Sequence, residues 1–296
     1  MVKKRSLEEK RNRQGWIYVS LSIVLIVLFV FYPMIQAFMT SLKSGQANDL
    51  HFVGFDNYRK MLTDATFKKA ASNTVFYLAL QVPIMIIGSM IIAVFLNDKK
   101  LKFKGLFRTA IFLPSITSLV SYSIIVRSLF SVGGIINKFL MAIGVMNTPL
   151  NWIADPFWAK ILIVIALTWR WTGYNMIFFL SGLQNIDPQI YEAAHVDGAS
   201  KIKQFFTITV PMLKPIILFT TVTSTIGTLQ LFDEVVNITG GGPANATTTL
   251  SHYIYNLSYK FTPNFGYATA VSFAIVVAII FLSFIQLKIG GKDNNA

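Results

Sequence analysis

The sequence has 296 residues, of which 54% are hydrophobic and only 13% charged, and its mean hydropathy is +0.56. That leaves too little polar surface for an ordinary soluble domain and places the chain in a membrane. The net charge of +13 points to loops that set topology and touch membrane lipid, and no nucleic acid is expected because no basic patch with interleaved aromatics lies outside the apolar runs. Zero cysteines exclude disulfides, thiol catalysis and sulfur-ligated metal sites.

Residues 1–14 carry Lys3, Lys4, Arg5, Lys10, Arg11 and Arg13 ahead of an apolar run from Trp16 to about Phe38. A span needs about 20 apolar residues, so a first transmembrane helix is predicted over 15–40, with a kink at Pro33. No small-residue cleavage site directly follows this long run, so an uncleaved helix is expected rather than a signal peptide. The polar segment 41–70, containing Phe52-Val53-Gly54-Phe55-Asp56-Asn57-Tyr58, reads as a small external cap. A second span is expected from about Ala71 to Leu96, beginning with Asn73-Thr74 and containing Pro83. The linker from Asn97 to Arg108 is basic, with Lys99, Lys100, Lys102, Lys104 and Arg108, and leads to a third span from about Thr109 to Phe130, with Pro114 near its start.

Gly133-Gly134 then opens a connection in which Ile135, Ile136, Phe139, Leu140 and Ile143 have amphipathic spacing, predicting a short interfacial helix. Trp152, Phe157 and Trp158 are assigned to the outer aromatic belt. A fourth span runs from Ala159 to about Leu183, a fifth from about Ile216 to Val236 and a sixth from Tyr267 to about Leu287, followed by Lys288 and Lys292. The expectation is an all-α integral membrane protein with six transmembrane helices and both termini on one side. The N-terminus, the 97–108 linker and the C-terminus, with Lys288 and Lys292, all lean basic, which puts them in the cytoplasm together with the tail over 291–296. Arg59, Lys60, Lys68 and Lys69 in the 41–70 segment weaken that asymmetry.

Between the fourth and fifth spans, residues 186–213 form a polar, helix-prone loop. Asp187 can cap a helix whose first position is Pro188, where a missing N–H costs nothing. Ile190, Ala193, Ala194 and Asp197 recur at helical spacing. Gly198 accepts the positive φ of a helix-ending turn, and Ser200 can cap a second helix carrying Ile202, Phe205 and Phe206, until Pro211 and Pro215 interrupt the run. The prediction is helix, turn, helix.

The run Glu192-Ala193-Ala194-His195-Val196-Asp197-Gly198, followed at distance by Ile208 and Pro211, resembles the EAA loop of permease subunits of bacterial ATP-binding-cassette importers. The segment Phe52 to Tyr58, the Asn73-Thr74 start and the stretch Thr239 to Pro243 are similar to the sugar-uptake branch, which includes maltose-type and glycerol-phosphate-type permeases. The resemblance implies the type I importer architecture, with a five-helix permease core over 71–290 containing the loop, in a bacterial plasma membrane.

No phosphate-binding Gly-x-x-x-x-Gly-Lys-Ser/Thr loop is present, and Gly240-Gly241-Gly242-Pro243 lacks the lysine. His51, His195 and His252 fall in separate loops, and no serine, histidine and acid arrangement suggests a nucleophile, so no catalytic residue, metal site or cofactor is expected in this chain. The resemblance implies that ATP and magnesium are bound by two ATPase subunits or an ATPase dimer, which Glu192, Ala193, Ala194, Asp197 and Gly198 would engage. It also implies a second related permease and an extracellular or periplasmic solute-binding protein.

Polar groups inside spans default to functional readings. The fourth span offers Arg170, Trp171, Tyr174 and Asn175, and the fifth Ser224, Thr228 and Gln230. Aromatic faces match the C–H faces of sugars, and planar polar groups match their hydroxyl rims. Trp169 and Trp171 equally fit packing against lipid or a neighbouring helix. The family resemblance puts Ser224, Thr228, Trp171 and Tyr174 at or beside pocket positions, although Trp171 stands where the maltose-type subunit has a small residue. Two readings of Arg170 are open, contact with an anionic substrate or an ion pair with Asp233. The expected function is a permease for a sugar or oligosaccharide. The alternatives are a permease for glycerol phosphate or another organic solute, and an ion-coupled secondary transporter, against which stand the single charge well inside the spans and the absence of an internal repeat.

Overall fold

A computed structural model describes residues 7–46, 49–98 and 100–291. Of the cations used to orient the chain, Lys3, Lys4, Arg5, Lys99 and Lys292 lie outside these residues, as does the tail over 292–296.

The chain is helical from Leu7 to Ser41, and Pro33 does not break it. Proline withdraws one N–H donor, and the helix absorbs the loss in a π turn at Val27–Phe31, where Tyr32 N–H donates to the Val27 carbonyl. The span Gln14–Ser41 is almost wholly exposed, and only its last turns pack on the final helix, with Phe38 edge-on to Phe273 at 5.3 Å. The following segment adds a β-hairpin to the expected helices. Strands β1 (Lys43–Gln46) and β2 (Asp49–Phe52) pair antiparallel with Lys43 opposite Phe52, ahead of a short helix Asp56–Met61. Asn57 fastens this cap by donating to the carbonyls of Ser41 and Lys43, both at 2.8 Å.

The second span begins at Ala65, six residues before the expected Ala71, because Asp64 caps it. One carboxylate oxygen accepts from Thr66 N–H (2.8 Å) and Phe67 N–H (3.2 Å), and the other from the hydroxyls of Tyr253 (2.5 Å) and Tyr267 (2.7 Å). Burial by itself raises the Asp64 pKa, but the tyrosine and backbone hydrogen bonds together outweigh it and hold the carboxyl below the ordinary carboxylate value. A carboxylate whose folded pKa is depressed contributes stability that is present above the unfolded pKa and is lost as the pH falls through the folded one. Asp64→Ala should therefore destabilise the protein by about 1–2 kcal/mol and blunt the acid sensitivity of its melting temperature in detergent. Asp64→Asn keeps a capping oxygen and should recover part of the loss. Equal melting temperatures for all three proteins at neutral pH would contradict this account.

The helices Ala65–Asn97 and Pro156–Gln184 pack along much of their length and form the centre of the bundle, tied by Ser89 Oγ donating to the Thr172 carbonyl at 3.0 Å. The expected third span is not one helix. It divides into Lys104–Ile116 and Leu119–Leu129, which meet at 105°. Pro114 removes a donor in the last turn, while the hydroxyls of Ser115 and Thr117 take up the carbonyls of Phe112 (2.6 Å) and Leu113 (2.8 Å), and the backbone at Thr117 and Ser118 turns extended. The first piece crosses the Pro156–Gln184 helix at Gly173, where a Cβ would run into the Ile111 carbonyl. The second is held by the Tyr122 hydroxyl, which donates to the Ala166 carbonyl at 2.6 Å.

A short helix forms at Ile135–Ala142, where the apolar spacing predicts one. Trp152 does not join an outer aromatic belt. Its indole N–H donates to buried Asn137 at 2.9 Å, and its ring packs edge-on to Phe130 and Trp158, leaving it 6% exposed. Phe157 keeps the exposure a belt residue needs.

The fifth span also departs from expectation, ending at Leu229 rather than Val236. Asp233 and Glu234 therefore lie beyond the helix end, followed by a π turn at Val235–Thr239 and by Gly240 and Gly241 at φ +62° and +83°. Asn73 donates to the carbonyls of Asn245 (3.0 Å) and Thr248 (2.9 Å), and Leu250 N–H donates to Thr74 Oγ1 at 3.1 Å. Two separate sequence signals, Asn73-Thr74 and the glycine-rich stretch, thus meet in one knot. The last helix runs Phe265–Gly291. Among the described residues four helices are long and apolar enough to cross a membrane, and the bent pairs Lys104–Ile116 with Leu119–Leu129 and Lys201–Met212 with Lys214–Leu229 raise the number to as many as six.

Candidate functional site

Two regions concentrate the polar groups, a cavity between helices and a helical hairpin at one end of the same helices. The cavity, of about 380 Å³, is walled by Pro156–Gln184 and Lys214–Leu229, with Ala65–Asn97 behind and residues 230–234, non-helical over 230–232, closing one side. Six of the seven residues expected at a substrate site line it: Trp171, Tyr174, Asn175, Ser224, Thr228 and Gln230. Trp171, Tyr174 and Asn175 lie within about one turn, and Ser224 and Thr228 are one turn apart on the facing helix.

Arg170 is not on the wall. It is 7% exposed and points behind the cavity, with its guanidinium 5.4 Å from the Tyr122 ring and 5.7 Å from the Trp171 ring. No ion pair joins it to Asp233, because the early end of the Lys214–Leu229 helix carries Asp233 to the exposed rim. What Arg170 does is back the Trp171 indole, whose N–H donates to Glu234 Oε1 at 3.3 Å.

The cavity also contains polar residues that sequence reasoning did not place in it: Gln81, Thr223, Asp233 and Glu234. Gln81 accepts from the Thr228 hydroxyl at 3.2 Å and is 2% exposed. Its signal was available, a lone amide in an apolar run two residues before Pro83. Glu234 could not be placed from sequence, because it reaches the wall only through the break after Leu229. Leu119 reaches it through the break in the third span. Among the described residues no group of three His, Asp or Glu side chains comes together to hold a metal.

The hairpin joins the end of one cavity wall to the start of the other. Asp187 accepts from Gln189 N–H at 2.9 Å with Pro188 in the first helical position, and the first helix runs Pro188–Val196. Gly198, at φ +77°, makes the reversal, and Ser200 accepts from Lys203 N–H at 3.3 Å. The second helix continues to Met212, so Pro211 sits within it after a π turn at Phe205–Thr209 rather than ending it. Tyr191 and Thr209 share a hydrogen bond of 2.9 Å, and Gln204 donates to the Ala199 carbonyl at 2.9 Å, which fixes the two helices to each other.

Glu192, Ala193, Asp197 and Gly198 are exposed, while Ala194 is half-buried beside Tyr191 on the side facing the bundle. Val196 (87% exposed), Ile202 (73%) and Phe206 (65%) leave apolar side chains uncovered around the turn. An ordered tip with exposed apolar groups, fused to both walls of a cavity, is suited to receive a partner and pass its displacement inward.

Comparison with known proteins agrees with this geometry. The family described as the binding-protein-dependent transport system inner membrane component matches residues 65–290. The lactose transport system permease protein of Rhizobium radiobacter is 53% identical over 95% of each chain. The arabinooligosaccharides transport system permease protein of Bacillus subtilis is 32% identical over 97% of this chain and 92% of its own. The trehalose/maltose transport system permease protein of Thermococcus litoralis is 30% identical over 96% of each. Among solved structures, a bacterial ABC transporter involved in the import of the acidic polysaccharide alginate superposes with a TM-score of 0.83 at 23% identity, covering 97% of this chain and 99% of that one. That similarity bears on the fold alone.

Proposed function

The chain belongs to the family of binding-protein-dependent transport system inner membrane components, and from that premise we propose that it forms half of the path by which an ATP-driven importer carries a neutral sugar or oligosaccharide across the bacterial plasma membrane. The observation that carries the reading is the mechanical continuity of the two regions. Pro156–Gln184 and Lys214–Leu229 wall the cavity and are joined by the Pro188–Met212 hairpin, so a push on the hairpin moves both walls.

Two ATPase subunits engage the hairpin, with Val196, Ile202 and Phe206 entering the partner surface and Glu192 pairing with a cation there. A second related permease completes the path, and a binding protein delivers the sugar at the opposite end. ATP and magnesium are held in the ATPase. Orientation follows from charge. Lys100, Lys102, Lys104 and Arg108 lie at the end of the Ala65–Asn97 helix that shares a cavity with Tyr191, Lys201 and Gln204 of the hairpin, and this cluster of positive charge supports a cytoplasmic assignment for that end.

In the cavity the Trp171 and Tyr174 rings offer apolar faces to sugar C–H groups. Asn175, Ser224, Thr228 and Gln230 supply the hydrogen bonds that replace water, in a volume within the roughly 300–1,000 Å³ of small-molecule sites. Asp233, exposed at the rim of the cavity, opposes an anionic solute, which favours a neutral saccharide over glycerol phosphate.

The test is uptake of a labelled disaccharide by vesicles holding the complete complex. Uptake should require ATP, survive collapse of the ion gradients at constant ATP, and fall about tenfold or more in Asn175→Leu, which removes an amide and leaves its partners unpaired. Uptake that vanishes with the gradient while ATP is maintained would favour the ion-coupled alternative.

A further inference from the structure

We propose that the cavity is the middle of an aromatic track along which a saccharide slides from ring to ring, an inference that rests on the sugar-permease reading. Its outer limb begins with Phe232 on the cavity wall. The Phe232 ring lies 5.3 Å from Tyr255, and Tyr255 lies 5.6 Å from Tyr259. Both tyrosines are exposed, 40% and 74% respectively, at the end of the bundle opposite the hairpin. Buried His252 stacks behind Tyr255 at an interplanar angle of 19° and a centroid distance of 6.5 Å, so that the ring is backed rather than free.

The inner limb begins with Trp171 and Tyr174, whose rings are 5.7 Å apart. It continues from Tyr174 to Phe178 at 5.3 Å and from Phe178 to Phe219 at 5.4 Å, where Phe219 is 51% exposed. Trp171, Tyr174 and Phe178 recur at helical spacing on one face of Pro156–Gln184, and the last of them is nearest the hairpin. Phe219 shares a face with Thr223 and Gly227, both of which line the cavity.

An aromatic belt at a membrane surface keeps its rings at one depth around the circumference. These rings instead follow the length of the bundle: Trp171 and Phe178 are seven residues apart on one helix, which is about 10 Å of rise. Each file ends at a cavity residue, Phe232 on one side and Trp171 on the other, and within each file adjacent rings lie close enough for a pyranose to reach the next face before leaving the last. Apolar stacking is tolerant of which hydroxyls the sugar carries, so a track of this kind favours movement over tight holding. Specific hydrogen bonds are confined to the middle, at Asn175, Ser224 and Thr228.

The experiment measures trisaccharide uptake per ATP hydrolysed by the complete complex in vesicles. The pair Tyr255→Leu with Tyr259→Leu keeps apolar side chains but removes two ring faces. It should lower the ratio about tenfold, with a smaller loss for a disaccharide, and the corresponding pair of Phe substitutions should restore it. Tyr259→Leu alone, at an exposed position where folding is insensitive, should give a several-fold loss. Tyr18→Leu, a similarly exposed tyrosine on the first span, should have no effect. An unchanged ratio in the double variant, or an equal loss in Tyr18→Leu, overturns the track. Those outcomes leave the sugar-permease reading standing if the unsubstituted complex transports, whereas failure of the unsubstituted complex to take up sugar removes the reading itself.

Discussion

Gly198→Glu should uncouple transport from ATP, with substrate-stimulated ATP hydrolysis and sugar uptake in vesicles both falling to the background. Gly198→Ala is the informative companion. A Cβ at this position meets nothing within 4 Å, so alanine carries only the cost of its φ of +77°, about 1–2 kcal/mol. That cost loosens the turn and should lower coupling severalfold without abolishing it. Glutamate pays the same φ cost and in addition projects a charged side chain from the tip at which the partner ATPase is expected. If the hairpin docks, the two variants separate widely. If it is only a solvated loop, they behave alike, and the coupling role fails. Assembly is the necessary control, and co-purification of the subunits in detergent with Gly198→Ala should be normal.

A second large effect is expected at Gly173, for a different physical reason. This glycine lies where the Lys104–Ile116 helix crosses Pro156–Gln184, and a Cβ there would overlap the carbonyl of Ile111 and press on the backbone of Phe112. Backbone cannot rotate away as a side chain does, so Gly173→Ala must push the crossing helices apart. The expected loss is about 3 kcal/mol, at the upper end of overpacking costs, seen as a sharp drop in the amount of folded protein and in its melting temperature in detergent. Gly88→Ala on the neighbouring helix is the matched control. Its Cβ would meet only Thr172 Cγ2 at 3.9 Å, an ordinary contact, and the variant should melt within a degree or two of the parent. Similar melting of both variants would show that the crossing is loose. Because Gly173 lies between Trp171 and Tyr174, separation of the helices would also open the cavity wall.

Residue patterns alone were enough for the membrane class, for the positions of the Ile135–Ala142 helix and the Pro188–Met212 hairpin, and for the capping roles of Asp187, Pro188, Gly198 and Ser200. All of these rest on local physics: apolar length, helical periodicity and the φ freedom of glycine. The same patterns also singled out Trp171, Tyr174, Asn175, Ser224, Thr228 and Gln230, because polar groups in apolar spans stand out wherever the chain takes them. The tertiary structure decided what those residues face. The break at Thr117-Ser118 needed competition between Pro114, two hydroxyls and a crossing partner, and the end of the fifth helix at Leu229 depended on packing at Leu231 and Thr249, whose hydroxyl donates to the Leu231 carbonyl at 2.6 Å. Those two interruptions brought Leu119, Asp233 and Glu234 to the cavity, and the fold turned Arg170 away from it. Apolar periodicity reports how much of a helix is greasy. Where a helix stops, and which neighbour its polar side chains meet, is set by contacts between residues far apart in the chain.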